Sequence, residues 1–278
     1  MTQTILNNKD QSGANLEGVN LQGAVLREYD LTGAKLANAN LKGAFLCDTR
    51  LNLADLTGAN LTGALLLRTD LTGVTLKGAD FSAVTLTDST LAGADLTGAD
   101  LTEVNLTAIN LTAINLTGAN LTGGAILRDA DLTGADLTGA DLTRVNLARA
   151  NLTGATLTSA NLTRATLTSV NLTRADLTGA TLTKVKLTEA NLAGANLAGA
   201  DLWEGNLTGA TLTGANLTGA NLLGANFTGV NLTGANFAGA NLTGANLTGA
   251  NLTGATLTEA NLTAANLYGT CLYSPKVK

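Results

Sequence analysis

From Leu16 to Leu121 a bulky apolar residue recurs at every fifth position, and the same period resumes from Leu127 to Leu272. Leucine fills nearly all of these positions, with Phe81, Phe227 and Phe237 as replacements. Two residues earlier sits Ala, less often Val, Ile, Ser or Thr. Asn or Asp usually lies between the two, and Thr-Gly follows. The consensus unit is A-(N/D)-L-T-G, and 52 such units can be counted.

A period of five fits neither the 3.6-residue helix nor sustained strand alternation. Within one unit, however, Ala and Leu are two apart, so an extended segment points both to the same side. The Thr-Gly that follows suits a tight turn, because glycine tolerates the positive φ of a type II turn. Each unit therefore reads as a very short strand plus a corner. Stacking such units gives a solenoid held together by contacts between neighbouring coils.

The A-N-L-T-G units, repeated nearly end to end from residue 14 to 273, resemble the pentapeptide-repeat family. That resemblance implies an all-β fold, a right-handed quadrilateral β-helix (β-solenoid) with four pentapeptide repeats per coil. The 52 units would then make about 13 coils, a rod of roughly 62 Å at the usual β spacing. Residues 1–13 are expected to cap the N-terminal end. Tyr268, Tyr273 and the tail 274–278 are expected to close the other end, because coil ends expose unpaired backbone. One unit, LTGGAIL, spaces Leu121 and Leu127 by six; the extra glycine, Gly123 or Gly124, reads as a one-residue bulge at a corner.

Composition narrows the function classes. The chain has 278 residues, 32 Gly, one Pro and no His, so the commonest general base and metal ligand is missing. Nothing resembles a phosphate loop, since the glycines are corner residues. Cys47 and Cys271 would lie about eleven coils apart, on the order of 53 Å, too far to bridge. No apolar run approaches a membrane span, and the N-terminus lacks signal-peptide character. The expectation is a cytoplasmic, non-catalytic protein with no cofactor, no bound metal, no direct nucleic-acid binding and no membrane association.

Residues twenty apart should stack on one face, so outward positions form rows. Between Asp80 and Asp141 nine carboxylates (Asp80, Asp88, Asp95, Asp100, Glu103, Asp129, Asp131, Asp136 and Asp141) face a single Arg128. From Arg144 to Lys186 six cations face only Asp176, with Arg144, Arg164 and Lys184 sharing one corner row. Like charges stacked this closely cost stability. From Gly205 to Thr258 there is no charge. Val25, Phe45 and Leu65 occupy the usual Asn/Asp position on three successive coils, with Leu67 beside them, and Trp203 adjoins Leu223. Single exposed apolar residues are common, but a row of them marks a candidate protein interface, with Trp a frequent anchor.

These features favour a structural or protein-interaction scaffold with a protein partner, or a homodimer formed through the apolar rows or the coil ends. Many members of the resembled family are bacterial and especially cyanobacterial. Some of them act on DNA gyrase by mimicking duplex DNA, which makes a DNA-mimicking modulator of gyrase or topoisomerase the alternative. Duplex DNA carries one charge per 1.7 Å, about 36 over about 62 Å; this chain has a net charge of −5. Ice binding is the remote alternative. It needs paired Thr on one face, and the T-L-T pairs such as Thr85/Thr87 and Thr156/Thr158 scatter over all four.

Overall fold

In the computed structural model, residues 6 and 8–272 are described. Tyr273, the tail 274–278 and, of the expected N-terminal cap, residues 1–5 and 7 lie outside the described residues. The chain divides into two compact units, Met1–Asp141 and Leu142–Lys278.

Unit 1 is a β-helix with a twenty-residue coil. Parallel bridges link Asn20 to Asn40, Asn60, Asp80, Asp100 and Asn120 in turn. Each outward residue donates its N–H to the coil before, as Asn40 does to the Val19 carbonyl at 2.9 Å. The Leu that follows donates to the coil after, as Leu41 does to Asn60 at 2.7 Å. Backbone polar groups are thereby satisfied within the wall. Most sides carry a single bridge residue, shorter than the strands the sequence suggests. The exceptions are β1 (Leu65–Leu67) and β2 (Thr85–Thr87), which pair in parallel on one face.

The corners follow from the Leu-Thr-Gly-Ala order. The Ala N–H closes on the Leu carbonyl three residues back, as at Ala34 to Leu31 (3.0 Å), and the third residue has positive φ, +63° at Gly33. The inserted glycine is absorbed at such a corner. Gly123 and Gly124 both take positive φ, 72° and 87°, and pairing resumes with Asn105 bridged to Ile126. A Cβ on Gly123 would meet Thr102 Cγ2 at 2.8 Å, whereas one on Gly124 would meet nothing within 4 Å.

Leu and Ala point inward and are almost wholly buried; Phe81 is accommodated in the same row of leucines. Each buried Leu contributes roughly 1.5–3 kcal/mol gross, largely offset by chain entropy. Unit 2 repeats the plan, with Asn161 bridged in turn to Thr181, Asp201, Asn221, Asn241 and Asn261. Its two core phenylalanines, Phe227 and Phe237, meet edge to face with centroids 6.3 Å apart. At its last coil Leu257, Leu262 and Leu267 are only half-buried. Tyr268 does not fold over them: it sits 63% exposed in an ordinary corner, its carbonyl accepting the Gly249 N–H.

The Asn/Asp position has its own task. Its Oδ1 accepts the N–H, and often the hydroxyl, of the residue two further on, as Asn60 does from Thr62 at 3.0 and 2.7 Å. This side-chain turn holds the chain entering each corner. Asn also donates to a neighbouring coil, as Asn196 Nδ2 does to Asp176 Oδ1 at 3.2 Å. Asp retains only the acceptor role. The Thr178 hydroxyl and N–H, bonded to Asp176, hold its carboxyl below the ordinary value against the opposing effect of burial.

Two outcomes follow. Gly123→Ala should destabilise more than Gly124→Ala in urea titrations, because both meet the left-handed cost of about 1–2 kcal/mol but only the former also clashes. For Asp176 the folded pKa lies below the unfolded one, so its stabilisation is present above the unfolded value and fades as pH falls through the folded value. Asp176→Asn should therefore stay within about 0.5 kcal/mol of wild type at pH 7 and lose less stability on acidification. Asp176→Ala should cost about 0.5–1.5 kcal/mol at pH 7. Equal losses for Asn and Ala would show that the turn acceptor does not matter.

Candidate interaction face

Non-glycine residues at left-handed corners carry a conformational cost of about 1–2 kcal/mol each, so where the chain accepts them is informative. In unit 1 one corner row holds Glu28, Asp48, Arg68, Asp88, Ala108 and Asp129, all with positive φ. A second row holds Gly18, Asn38, Gly58, Gly78, Gly98, Gly118 and Gly139, and a third is glycine except for Leu53 and Ala113. The fourth row contains Glu103 beside the inserted glycine. Charge at the positive-φ corner position of this unit thus flanks a single face, the one carrying Val25, Phe45 and Leu65.

The structure brings those three residues together on consecutive coils through the bridges Val25–Phe45 and Phe45–Leu65. Val25 is 69% and Phe45 46% exposed, while Leu65 and Leu67 are partly covered. Beside them the corner forms an ion-pair ladder. Lys9 pairs with Glu28 at 2.9 Å, and Arg27 reaches both Glu28 and Asp48 at 3.6 Å. Arg68 grips Asp48 with two bonds of 2.6 and 2.8 Å. The Arg68 guanidinium holds the Asp48 carboxyl below its ordinary value, and Lys9 does the same for Glu28. Such exposed pairs add little stability; they order the rim. Glu28, Tyr29, Asp30, Asp48 and Arg50 line a shallow cleft of about 270 Å³ just beyond it.

Behind this corner the Ala position is taken by Thr49, Thr69 and Ser89, all buried. Their hydroxyls donate to the carbonyls of Leu26, Leu46 and Leu66 at 2.7, 2.6 and 3.0 Å. Ser89 Oγ also accepts the Thr69 N–H at 2.9 Å. These bonds tie four successive coils together beneath the apolar row, where β1 and β2 lie. The ion ladder and the hydroxyl ladder are absent from the sequence-based candidates. Their signal was charge in the glycine position and hydroxyl in the alanine position, each at a twenty-residue interval.

The acidic residues do not gather into one surface. Asp80 and Asp100 share one row and Asp95 and Asp136 another. Oδ1 of Asp95 and of Asp136 accepts its own corner N–H, from Thr97 at 3.1 Å and Thr138 at 2.9 Å. Asp100 accepts the Thr102 N–H and hydroxyl, and Asp80 is held by Ser82 and Thr62. Asp141 bridges Asn120. Asp80, Asp95, Asp100 and Asp136 thus serve as turn acceptors in the place of Asn. Among the described residues no group of three or more His, Cys, Asp or Glu is arranged to hold a metal ion.

In unit 2, Arg144, Arg164 and Lys184 do form one corner row on successive coils. Lys184 Nζ lies 4.7 Å from the Trp203 ring centroid and 3.3 Å from Glu204. Trp203 is half-buried and Leu223, one coil on, is 37% exposed. Cys47 is half-buried, Cys271 is exposed, and both are free thiols. No helix among the described residues is long and apolar enough to cross a membrane.

Comparison with known proteins agrees with this architecture. The family model for pentapeptide repeats matches overlapping stretches from residue 1 to residue 273. HetL, a pentapeptide-repeat protein involved in heterocyst differentiation regulation in Nostoc sp. strain PCC 7120, is 38% identical. The match covers 77% of this chain and 89% of HetL, with a TM-score of 0.36. Rfr23 from Cyanothece 51142 is 48% identical over 31% of this chain and 58% of its own, with a TM-score of 0.30. QnrB1, a plasmid-mediated fluoroquinolone resistance protein, is 17% identical over 87% of this chain and 89% of its own, with a TM-score of 0.34. No curated protein matches. A five-residue unit recognised along nearly the whole chain, together with the coil it builds, places this protein in the pentapeptide-repeat family.

Proposed function

We propose that this protein is a non-catalytic interaction scaffold and that its partner protein docks on the face bearing Val25, Phe45 and Leu65. The observation that carries the reading is the exposure of Val25 and Phe45, 69% and 46%, at a position that the fold elsewhere fills mostly with Asn, Asp or Thr, the exceptions being Lys35, Arg50, Ile126 and Lys186. The coil requires nothing apolar there, since its core is complete without them. Phe45 offers a rigid apolar anchor, Val25 and Leu65 extend it along the axis, and Arg27, Asp48 and Arg68 give it a polar rim. This is the arrangement of a small interface centre. The hydroxyl ladder of Thr49, Thr69 and Ser89 supports the same face, so little order would be lost on binding.

DNA mimicry draws no comparable support. Asp80, Asp95, Asp100 and Asp136 are engaged in their own turns, and they share their rows with neutral Asn and Thr.

Val25→Asn/Phe45→Asn should leave the urea unfolding midpoint nearly unchanged, because neither side chain belongs to the core. The same double variant should lose the protein that the wild type captures from its native extract, by about 10-fold or more for an anchor worth about 1.4–2 kcal/mol. Capture of the same protein at equal yield by the variant would remove this face from the function. Sedimentation of the wild type at graded concentration covers self-association: a dimer abolished by the double variant would identify the partner as a second copy.

A further inference from the structure

The corner row of unit 2 is a second, chemically different surface. Arg144 and Arg164 are exposed, hold positive φ (60° and 58°) and make no ion pair among the described residues. They stand on successive coils, Arg144 N–H donating to Thr163 and Arg164 N–H to Thr183. Two strained corners with facing like charges have no internal compensation, and glycine at either would relieve both costs. Lys184 continues the row, and Lys186 is exposed on the adjoining face. The row has a defined end: Lys184 is held over Trp203 and against Glu204, and beyond Glu204 the corner returns to glycine at Gly224. The nearby carboxylates are otherwise engaged, Asp201 Oδ2 by the Thr183 hydroxyl at 3.1 Å and Glu189 by the Ser169 hydroxyl at 3.3 Å.

We propose that Arg144, Arg164 and Lys184 form a docking row for the acidic face of a helix in a partner protein, lying along the coil axis. Successive coils are about 4.8 Å apart, and carboxylates at i and i+4 of a helix are about 5–6 Å apart, a mismatch that long Arg side chains absorb. Same-side residues of an extended segment are about 6.7 Å apart and fall out of step sooner. A nucleic acid fits less well. Its affinity comes from many phosphates neutralised along a groove, whereas this row is short, stops at Glu204 and belongs to a chain of net charge −5. Terminating the row with a carboxylate limits the helix to about two acidic turns and sets where it ends.

The full chain is titrated at low salt with three labelled probes. These are a helical peptide with Glu along one face, an isomer of equal composition with Glu spread around the helix, and a duplex oligonucleotide. The one-faced peptide should bind in preference to both others. Arg144→Glu/Arg164→Glu should weaken that binding by at least about 10-fold, Arg144→Lys/Arg164→Lys should largely restore it, and salt should diminish it. Trp203 fluorescence and the urea midpoint establish that each variant is folded. Absence of binding, equal binding of the isomer, binding unchanged by charge reversal, or tighter binding of the oligonucleotide would each overturn the proposal.

Discussion

The structure depends on one constraint: after twenty residues the chain must return to a position where its peptide groups bond to the coil before. Outward-residue N–H groups donate one way along the axis and Leu N–H groups the other, so every coil is both template and copy. A five-residue unit satisfies this because Ala, Asn or Asp, and Leu span one side between corners, and Thr-Gly makes the corner. With the bore filled by Leu and Ala, sheets of ordinary length are unnecessary. Single bridge residues suffice, because most of them are set at the entrance to a corner by their own side-chain turn.

That economy divides the five positions by freedom. The Leu and Ala positions are bound by packing, and the Asn/Asp position by its acceptor oxygen. Thr is largely committed to bonding that oxygen. The glycine position is held only by backbone preference, so charged residues can enter at a modest strain cost. Unit 1 uses this freedom mainly beside the face with the apolar row, and unit 2 uses it for the basic corner row. Surface chemistry and fold are thereby written at different positions of the same repeat, and the surface can diverge without disturbing the coil.

The fold was legible because its signal is redundant. Each unit restates the period, and the single phase break at Gly123–Gly124 was visible as a six-residue interval. The row containing Val25, Phe45 and Leu65 was also legible, since residues twenty apart needed only counting. Asp80, Asp95, Asp100 and Asp136 were less so. As a linear cluster they read as an acidic surface, yet each is a turn acceptor that could equally be Asn, with consequences confined to charge and pH. Charge density along the chain does not distinguish a carboxylate aimed at solvent from one aimed at its own corner.

By itself, the sequence determined the five-residue unit and its inward positions, because these follow from spacing, and the four-unit coil implied by the family resemblance then assigned the positions that would share a row. Only the tertiary structure decided which side chains meet across coils. Arg68 reaching back to Asp48, Thr69 bonding the Leu46 carbonyl and Lys184 settling over Trp203 all depend on rotamers and on distances set by the stacked backbone. Periodicity fixes the address of a residue, whereas hydrogen bonding and ion pairing depend on direction, and direction exists only once the coils are stacked.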